Sequence, residues 1–290
     1  MRVMITGCYG QVGQCLVKQF QQIANILAVG RAELDITDEV AVKNVVKAFK
    51  PDFIINAAAH TAVDKAEDEV DLSYAINCSG PRFLAEAANS VNASILHIST
   101  DYVFSGDKDG IYTESDLTSP QGVYGESKLA GEIAVINACQ KHIVLRTAWV
   151  FGEDGNNFVR TMLRLAKAYD TLGIVGDQVG GPTYAGDIAA ALVVMTKAIY
   201  NGESDKFGIY HFSGLPHVSW SQFAESIFDE AVEQSIIQQS LTVNAITTAE
   251  YPTPAKRPAN SKLDTALITE KFEINASDWK QALSNIKAYT

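Results

Sequence analysis

Short runs of hydrophobic residues alternate with longer stretches in which hydrophobic positions recur every three or four residues. The short runs are rich in β-branched residues, which is typical of strands buried on both faces. They cover residues 3–6, 26–29, 53–56, 95–99 and 143–146. The stretches between them are predicted helices at 11–22, 39–50, 72–90 and 126–138. Because strands separated by helices can pair only in parallel, we expect an α/β fold with a Rossmann-type doubly wound parallel sheet.

Beyond residue 150 the alternation weakens, which indicates a smaller and irregular α+β lobe. Helices are predicted at 157–168, 187–199 and 219–232, and a strand at 209–212. A group of prolines indicates an irregular loop at Pro252, Pro254 and Pro258. The predicted first domain is 1–146 with about 171–200, and the predicted second lobe is about 147–170 with 201–290.

A glycine-rich turn follows the first strand and opens the first helix. Gly7, Gly10 and Gly13 lie in the sequence GCYGQVG. Such a turn lets the backbone approach a pyrophosphate, and the N–H groups of the following helix bind the anion. The spacing of three and three resembles that of short-chain dehydrogenases/reductases. The first domain is therefore expected to bind a nicotinamide dinucleotide.

The end of the second strand bears on the choice between NADH and NADPH. An acid there commonly binds the adenosine ribose of NAD, whereas a base accepts the extra phosphate of NADP. The strand runs into Gly30 and Arg31, with no acid at its end. Arg31 favours NADPH, with NADH possible and a merely exposed arginine as the alternative. Asp35 and Ile36 resemble a pair that contacts adenine in such enzymes.

A catalytic set is suggested by a Y-x-x-x-K pattern at a predicted helix. Tyr124 and Lys128 lie four residues apart and so share one helical face. An ammonium group beside a phenol stabilises the phenolate and lowers the phenol pKa, so Tyr124 could protonate a carbonyl oxygen while a hydride reaches the carbon. Thr100 follows the predicted strand 95–99 and would hydrogen-bond the same oxygen. Together with the glycine turn, these residues indicate hydride transfer.

Composition and charge narrow the classes of partner. The formal charge of −11 disfavours binding to nucleic acid. The longest apolar run has eight residues, at 188–195, whereas a membrane span needs about 20. The N-terminal residues do not form the apolar stretch of a secretory signal, and the four cysteines show no paired spacing. A cytoplasmic protein with reduced thiols is expected.

Longer motifs make the resemblance specific. They are NAAAHTAVDKAE at 56–67, STDYVF at 99–104, RTAWV at 146–150, GDQVGGPT at 176–183 and RPANS at 257–261. In this order they resemble the dTDP-4-dehydrorhamnose reductase family. The resemblance implies NAD(P)H-dependent reduction of the 4-keto group of dTDP-4-dehydro-L-rhamnose to dTDP-L-rhamnose, for bacterial surface polysaccharide such as lipopolysaccharide. The first domain would bind the dinucleotide and the second lobe the sugar nucleotide.

The resemblance also implies roles for individual residues. Cofactor contacts besides the three glycines and Arg31 would be Gln11, Val12, Asp35, Ile36, Ala58, Ala59, His60, Thr61, Tyr124 and Lys128. Contacts to the sugar nucleotide would be Thr100, Asp101, Trp149, Asn156, Gln178 and Arg257. Arg257 would give this acidic chain the local cation that a diphosphate requires, because its planar guanidinium suits phosphate oxygens.

Several alternatives stay open at this point. Related dehydratases carry Glu where this chain has Tyr102, so ketone reduction is favoured over dehydration or epimerisation. Another nucleotide-linked 4-keto-6-deoxy sugar is a possible substrate. A regulatory subunit of animal methionine adenosyltransferase also resembles this family, but the intact catalytic set argues against a purely regulatory role. No metal site is predicted from the residues, although some relatives are thought to hold Mg²⁺ between the subunits of a homodimer.

Overall fold

A computed structural model describes residues 1–239 and 241–290 of the chain. The strands are β1 Arg2–Thr6, β2 Asn25–Val29, β3 Phe53–Asn56, β4 Ser94–Thr100, β5 His142–Thr147, β6 Val150–Phe151, β7 Thr171–Val175, β8 Val179–Gly180, β9 Thr183–Tyr184, β10 Gly208–His211, β11 Gly214–Leu215, β12 Val218–Ser219, β13 Thr242–Ile246, β14 Asn260–Ser261 and β15 Ser277–Asp278. The α-helices are α1 Gln11–Phe20, α2 Glu39–Phe49, α3 Val63–Ala66, α4 Val70–Tyr74, α5 Gly80–Ser90, α6 Val123–Ala138, α7 Phe158–Leu165, α8 Ala185–Tyr200, α9 Trp220–Glu233, α10 Ala266–Phe272 and α11 Trp279–Leu283.

The main sheet is parallel throughout and has the order β10-β5-β4-β3-β1-β2. This arrangement confirms the predicted Rossmann-type fold. The chain passes from β1 outward to β2 and then returns to place β3 on the other side of β1. The strand order therefore reverses between β1 and β3, and in open α/β sheets ligands bind at the carboxyl ends of the strands beside such a reversal.

Both faces of the sheet are covered because neighbouring side chains of each strand point in opposite directions. On β1, Val3 and Ile5 pack in the core beneath α1 and α8, whereas Met4 packs in the core beneath α2 and α5. All three side chains are fully buried. This double burial explains why the strands appear in the sequence as continuous hydrophobic runs.

The helix ends follow local capping chemistry. The Asp38 carboxylate accepts a hydrogen bond from the backbone N–H of Ala41 at 2.9 Å and caps α2. Ser219 and Gln222 form a reciprocal capping box at the start of α9. The predicted helix at 72–90 is instead α4 and α5 joined by a π-helical turn, Ala75–Ser79.

The second half of the chain divides between two cores. Strands β7 and β13 pair with each other beside a separate hydrophobic core formed by α7, α9 and α11. Strand β10, however, pairs with β5 at the edge of the main sheet, and α10 packs in the core of that sheet. The predicted boundaries assign β7 to the first domain and β10 to the second lobe. In the structure β7 pairs with β13 in the lobe, and β10 pairs with β5 in the main sheet. Strand pairing, and not position along the chain, decides where each strand is buried.

Two general observations complete the fold. Within residues 1–239 and 241–290, no helix combines the length and the apolar character that a membrane span requires. All four cysteines are free thiols, as their spacing in the sequence indicates.

Candidate active site

The glycine turn brings β1, β3 and α1 into close contact. Gly7 has a φ of 68°, and a Cβ atom on it would lie 2.6 Å from backbone atoms of Ala57 and Ala58. A Cβ atom on Gly13 would lie 2.1 Å from the carbonyl oxygen of Gly7. Both positions therefore require glycine, the first for its backbone conformation as well as its size. The result is a helix that starts directly at the reversal of strand order.

The start of α1 is open to a ligand. Its N-cap is Gly10, which has no side chain that could accept the first N–H groups of the helix. Together with Gln11 and Val12, this residue lines a cavity of about 410 Å³ whose opposite wall includes residues 57–59 and Thr61. A pyrophosphate fits this cradle, because the backbone can approach closely and the helix start favours negative charge.

The predicted catalytic residues line the same cavity. Thr100 stands at the carboxyl end of β4, and Tyr124 and Lys128 lie one turn apart near the start of α6. The cavity therefore joins a dinucleotide cradle to a hydroxyl, a phenol and an amine. This is the set of groups that a carbonyl reduction with proton transfer requires.

Tyr124 is buried, and its surroundings favour the neutral phenol. Burial raises the pKa of Tyr124 well above its usual value, and nearby Asp101 and Tyr102 raise it further, while a hydrogen bond with Thr100 lowers it. Desolvation is the dominant influence on this pKa, and it opposes the lowering that the sequence predicts from Lys128. A phenol that keeps its proton is nevertheless suited to donate it during a reaction.

Lys128 is fully enclosed, with 2% of its surface exposed. Its Nζ donates a hydrogen bond to the carbonyl oxygen of Ile98 at 2.7 Å. Burial lowers the pKa of Lys128 to about 8, and the carboxylate of Glu132 partly offsets this effect. Glu132 itself is bound by both Nε and Nη2 of Arg146, at 2.9 and 2.7 Å. Lys128 can therefore change its charge close to neutral pH.

Asp101 lies behind Thr100 and connects it to the smaller lobe. The Thr100 hydroxyl donates to Asp101 Oδ1 at 3.0 Å, and the Ser261 hydroxyl, on β14, donates to Asp101 Oδ2. Burial raises the pKa of the Asp101 carboxyl to about 6. Asp101 was expected to line the sugar, and it does line the cavity, but both of its oxygens already have protein partners.

A second cavity of about 660 Å³ adjoins the first, and the two share Tyr102 and Trp149. The Trp149 indole stacks on Trp220 with ring centroids 3.5 Å apart and planes inclined by 10°. Trp149 has a φ of 49°, a left-handed conformation that is costly for a bulky residue and typical of functional sites. The apolar and aromatic lining suits a flat ring such as a nucleobase.

The polar residues predicted for the sugar nucleotide lie in different places. Gln178 and Arg257 line the second cavity, whereas Asn156 lines the first. Gln178 donates from Nε2 to Thr248 Oγ1 at 3.1 Å. Arg257 forms an ion pair with Asp64, with 2.6 Å between Nη2 and Oδ2. The cation proposed for a diphosphate is therefore already paired with a carboxylate of the protein.

The residues predicted for the adenosine end lie after β2. Ile36 is buried beside Gly80, whereas Arg31 is exposed and its Nε lies 3.7 Å from Asp35 Oδ2. Asp35 accepts hydrogen bonds from the backbone N–H and the hydroxyl of Thr37, which lower its pKa. Arg31 is thus a cation on the surface, placed beyond the end of β2 and partly neutralised.

Comparison with known proteins places this geometry in a family. The model of the family described as the RmlD substrate binding domain matches residues 1–289. A dTDP-4-dehydrorhamnose reductase of Aggregatibacter actinomycetemcomitans is 54% identical over 290 residues, which cover 99% of both chains. The chain belongs to the dTDP-4-dehydrorhamnose reductase family.

Solved structures of this family agree with that assignment. A crystal structure of a dTDP-4-dehydrorhamnose reductase from Clostridium acetobutylicum is 41% identical, covers 98% of both chains and superposes with a TM-score of 0.90. The enzyme of Bacillus anthracis, crystallised in complex with NADP, is 37% identical with a TM-score of 0.91, over 100% of this chain and 99% of that one. The predicted resemblance is confirmed.

Two residues to which the sequence analysis assigned no role hold α6, the helix of Tyr124 and Lys128, in place. The buried Asn77, in the π-helical turn, donates from Nδ2 to Ser127 Oγ on α6 at 3.1 Å. Glu67 accepts a hydrogen bond from the backbone N–H of Val123, the first residue of α6, at 3.0 Å. Their place in the sequence gave no signal, because neither lies within a predicted strand end or a glycine turn.

His60 belongs to this supporting layer. Its backbone N–H donates to Asn77 Oδ1 at 2.8 Å, and its ring nitrogens lie 3.0 Å from Ser73 Oγ and 3.1 Å from Glu69 Oε2. These contacts fix the segment that carries Ala59 and Thr61 along the cavity wall. A role of His60 in holding this wall therefore stays the better prediction than one in proton transfer.

The described residues offer no ligand set of the kind that metal ions require in proteins. In the described part of the chain, no group of three or more His, Cys, Asp and Glu side chains is arranged to hold a metal ion.

Proposed function

We propose that this protein reduces the 4-keto group of dTDP-4-dehydro-L-rhamnose to give dTDP-L-rhamnose, with a reduced nicotinamide dinucleotide as the hydride donor. The product would serve the synthesis of bacterial surface polysaccharide, and we propose that the reaction takes place in the cytoplasm. Relatives that match this chain over nearly its whole length are dTDP-4-dehydrorhamnose reductases, which supports this activity. The observation that carries the proposal is the meeting of the two cavities at Tyr102 and Trp149, directly beside Thr100, Tyr124 and Lys128.

The two cavities assign the two ligands to opposite sides of the catalytic residues. The glycine turn would hold the dinucleotide, and the aromatic cavity would hold the thymidine part of the substrate. The sugar would then lie at the junction, where Trp149 offers an apolar face to the deoxy edge of the ring. In this arrangement the Tyr124 hydroxyl faces the oxygen on C4.

The bound reduced nicotinamide would supply the hydride that adds to C4. Tyr124 would transfer its phenolic proton to the oxygen, so that the carbonyl becomes a secondary alcohol and the phenol becomes a phenolate. The Lys128 ammonium would stabilise that phenolate by its positive charge. A proton from solvent then restores the neutral phenol, which the buried environment favours.

Thr100 would align the carbonyl through its hydroxyl. This hydroxyl donates to Asp101, and its oxygen also accepts a hydrogen bond from the Tyr102 backbone N–H at 3.3 Å. Thr100 must turn its proton toward the substrate oxygen in order to donate to it. Protonation of Asp101 on Oδ1 would turn that acceptor into a donor and so free the Thr100 proton, which is consistent with the raised pKa of that carboxyl.

Either NADPH or NADH could serve as the hydride donor. The sequence favours NADPH through Arg31, and the Bacillus anthracis relative is described in complex with NADP. The loose pairing of Arg31 with Asp35 leaves the guanidinium free to approach a 2′-phosphate, because exposed ion pairs of this kind contribute little free energy.

The direct test is a reduction assay with the proposed substrate. Purified protein would be incubated with dTDP-4-dehydro-L-rhamnose and NADPH or NADH, and the loss of the reduced-nicotinamide absorbance followed while the sugar product is identified by NMR. Another dTDP-linked 4-keto-6-deoxy sugar and the same sugar on uridine diphosphate serve as comparison substrates. Faster turnover of a comparison substrate would contradict the substrate assignment, and the absence of turnover with all of them would contradict the reductase assignment.

A further inference from the structure

An acidic side chain folds back to the end of β2, where the sequence shows none. Glu33 Oε2 accepts a hydrogen bond from the backbone N–H of Gly30 at 2.9 Å, and Gly30 is the residue that follows β2. A tight turn makes this possible, because the backbone N–H of Leu34 donates to the carbonyl oxygen of Gly30 at 2.9 Å. The carboxylate is therefore three positions beyond the strand end in sequence but beside it in space.

Tyr9, from the glycine turn, holds the other oxygen of this carboxylate. Its hydroxyl donates to Glu33 Oε1 at 2.8 Å. The ring lies against Gly30, since a Cβ atom at that position would approach Tyr9 Cδ2 to 2.4 Å. Tyr9, Gly30 and Glu33 thus form one connected unit.

The position of this unit is that of the adenosine ribose in a dinucleotide fold. The backbone N–H of Cys8 donates to the carbonyl oxygen of Val29 at 3.3 Å, so the glycine turn and the end of β2 are in contact. In Rossmann folds an acid at this point hydrogen-bonds the 2′-hydroxyl of NAD, and a base accepts the 2′-phosphate of NADP. Each carboxylate oxygen of Glu33 keeps lone pairs for a further donor.

The charges around this position are mixed. Glu33 is negative, and the hydrogen bond from Tyr9 and the one from Gly30 lower its pKa. Arg31 is positive and is 3.7 Å from the carboxylate of Asp35. The carboxylates of Glu33 and Asp35 and the guanidinium of Arg31 therefore surround the turn after β2. This is a poor site for a dianionic phosphate unless Arg31 leaves Asp35 and contacts the phosphate itself.

We propose that Glu33, positioned by Tyr9, is the residue that recognises the ribose 2′-hydroxyl of NADH and disfavours the 2′-phosphate of NADPH. Arg31 has the opposite effect, because its guanidinium favours the 2′-phosphate of NADPH. This inference rests on the proposed use of a nicotinamide dinucleotide and assigns the selectivity of that site to an opposed pair, Glu33 and Arg31.

The test compares four variants with the wild type. Glu33→Gln removes the charge and keeps a hydrogen-bonding side chain, and we expect it to raise the ratio of kcat/KM for NADPH over NADH by roughly tenfold, a loss of repulsion of ordinary size for an exposed charge. Tyr9→Phe should shift the ratio in the same direction but less, because Glu33 loses one anchor. Arg31→Ala should lower the ratio. Glu270→Gln makes the same change of charge on α10, at the opposite edge of the sheet, and should leave it unchanged.

A binding measurement without turnover separates this inference from the proposed reaction. Calorimetric titration with 2′,5′-ADP and with adenosine 5′-monophosphate, which differ only in the 2′-phosphate, reports the 2′ position alone. Glu33→Gln should tighten 2′,5′-ADP relative to adenosine 5′-monophosphate by a similar factor, while Glu33→Asp should remain closer to the wild type. An unchanged ratio in Glu33→Gln, in both titration and kinetics, would overturn the role of Glu33. If the titrations shift as expected but no keto sugar is reduced, the reductase assignment fails and the ribose assignment stands.

Discussion

Replacing Arg257 by alanine would remove the cation that we assign to the diphosphate of the substrate. The guanidinium lines the aromatic cavity beside Tyr102, with 3.4 Å between Nη1 and the Tyr102 hydroxyl oxygen. It is paired with Asp64, with 2.6 Å between Nη2 and Oδ2. Diphosphate binding therefore exchanges one anionic partner for another rather than engaging a free cation.

The expected magnitude follows from this exchange. A hydrogen bond to a charged group contributes about 1.5–3 kcal/mol, and a partly exposed ion pair about 0–1 kcal/mol. The Asp64 side chain is 40% exposed and that of Arg257 is 22% exposed, so a middle value of about 0.5 kcal/mol suits the pair that is lost. The difference is about 1–2.5 kcal/mol, which raises KM for the sugar nucleotide roughly 5- to 70-fold.

The assay is the steady-state reduction rate at varied concentration of dTDP-4-dehydro-L-rhamnose, together with calorimetric titration of dTDP. Arg257→Ala should raise KM and weaken dTDP, with a smaller effect on kcat. Asp64→Asn should instead lower KM by up to about fivefold, because it frees the guanidinium. An unchanged KM in Arg257→Ala would refute the diphosphate assignment. A rise in KM in Asp64→Asn as large as that in Arg257→Ala would show that Asp64 itself binds substrate.

Three further predictions concern α6. Burial lowers the pKa of Lys128 to about 8, so the ammonium that stabilises the phenolate is present below that pH and is lost above it. We therefore expect kcat to fall as the pH rises through about 8. A pH profile of kcat that stays flat would contradict this role of Lys128. Glu67→Ala leaves the Val123 N–H without its cap and should lower the free energy of unfolding by about 1 kcal/mol in urea titration, whereas Glu67→Gln, which keeps an acceptor, should lose less. Gly131→Ala would place a Cβ atom 2.0 Å from the carbonyl oxygen of Asn77 and should cost about 1–3 kcal/mol by the same measurement, despite the better helix propensity of alanine.

The main sheet could be predicted from the sequence because each strand is recognisable from its own residues. Each strand is buried on both faces, so the hydrophobic run itself marks it, and the helices between strands permit only parallel pairing. Strand β10 was predicted as a strand but not as part of this sheet. Its partner β5 ends more than 60 residues earlier, and no local pattern indicates which edge a late strand joins.

The site residues also fall into those that local motifs predict and those that they do not. Thr100, Tyr124 and Lys128 lie in motifs whose spacing follows from strand ends and helix turns, and they line one cavity. Glu33, Glu67 and Asp64 act through contacts that the chain makes by turning back or by meeting a distant segment. Such contacts depend on tertiary structure.

The pKa of Tyr124 is a second property that the sequence motif does not determine. The neighbouring lysine in the sequence suggests a lowered phenol pKa, but the degree of burial cannot be read from a motif, and burial has the larger effect. The environment thus stabilises the protonated donor before reaction.

The most direct test of the central claim is the turnover of Tyr124→Phe with dTDP-4-dehydro-L-rhamnose and NADPH or NADH. Phenylalanine keeps the edge-to-face packing against Tyr102, whose ring centroid lies 5.3 Å away, so the fold and the binding of both ligands should survive. Removing a general acid typically lowers the rate by about 10²- to 10⁴-fold. We predict a loss of kcat in this range, with unfolding midpoint and dinucleotide affinity close to those of the wild type. A folded variant with kcat within a few-fold of the wild type would contradict the assignment of Tyr124 as the proton donor.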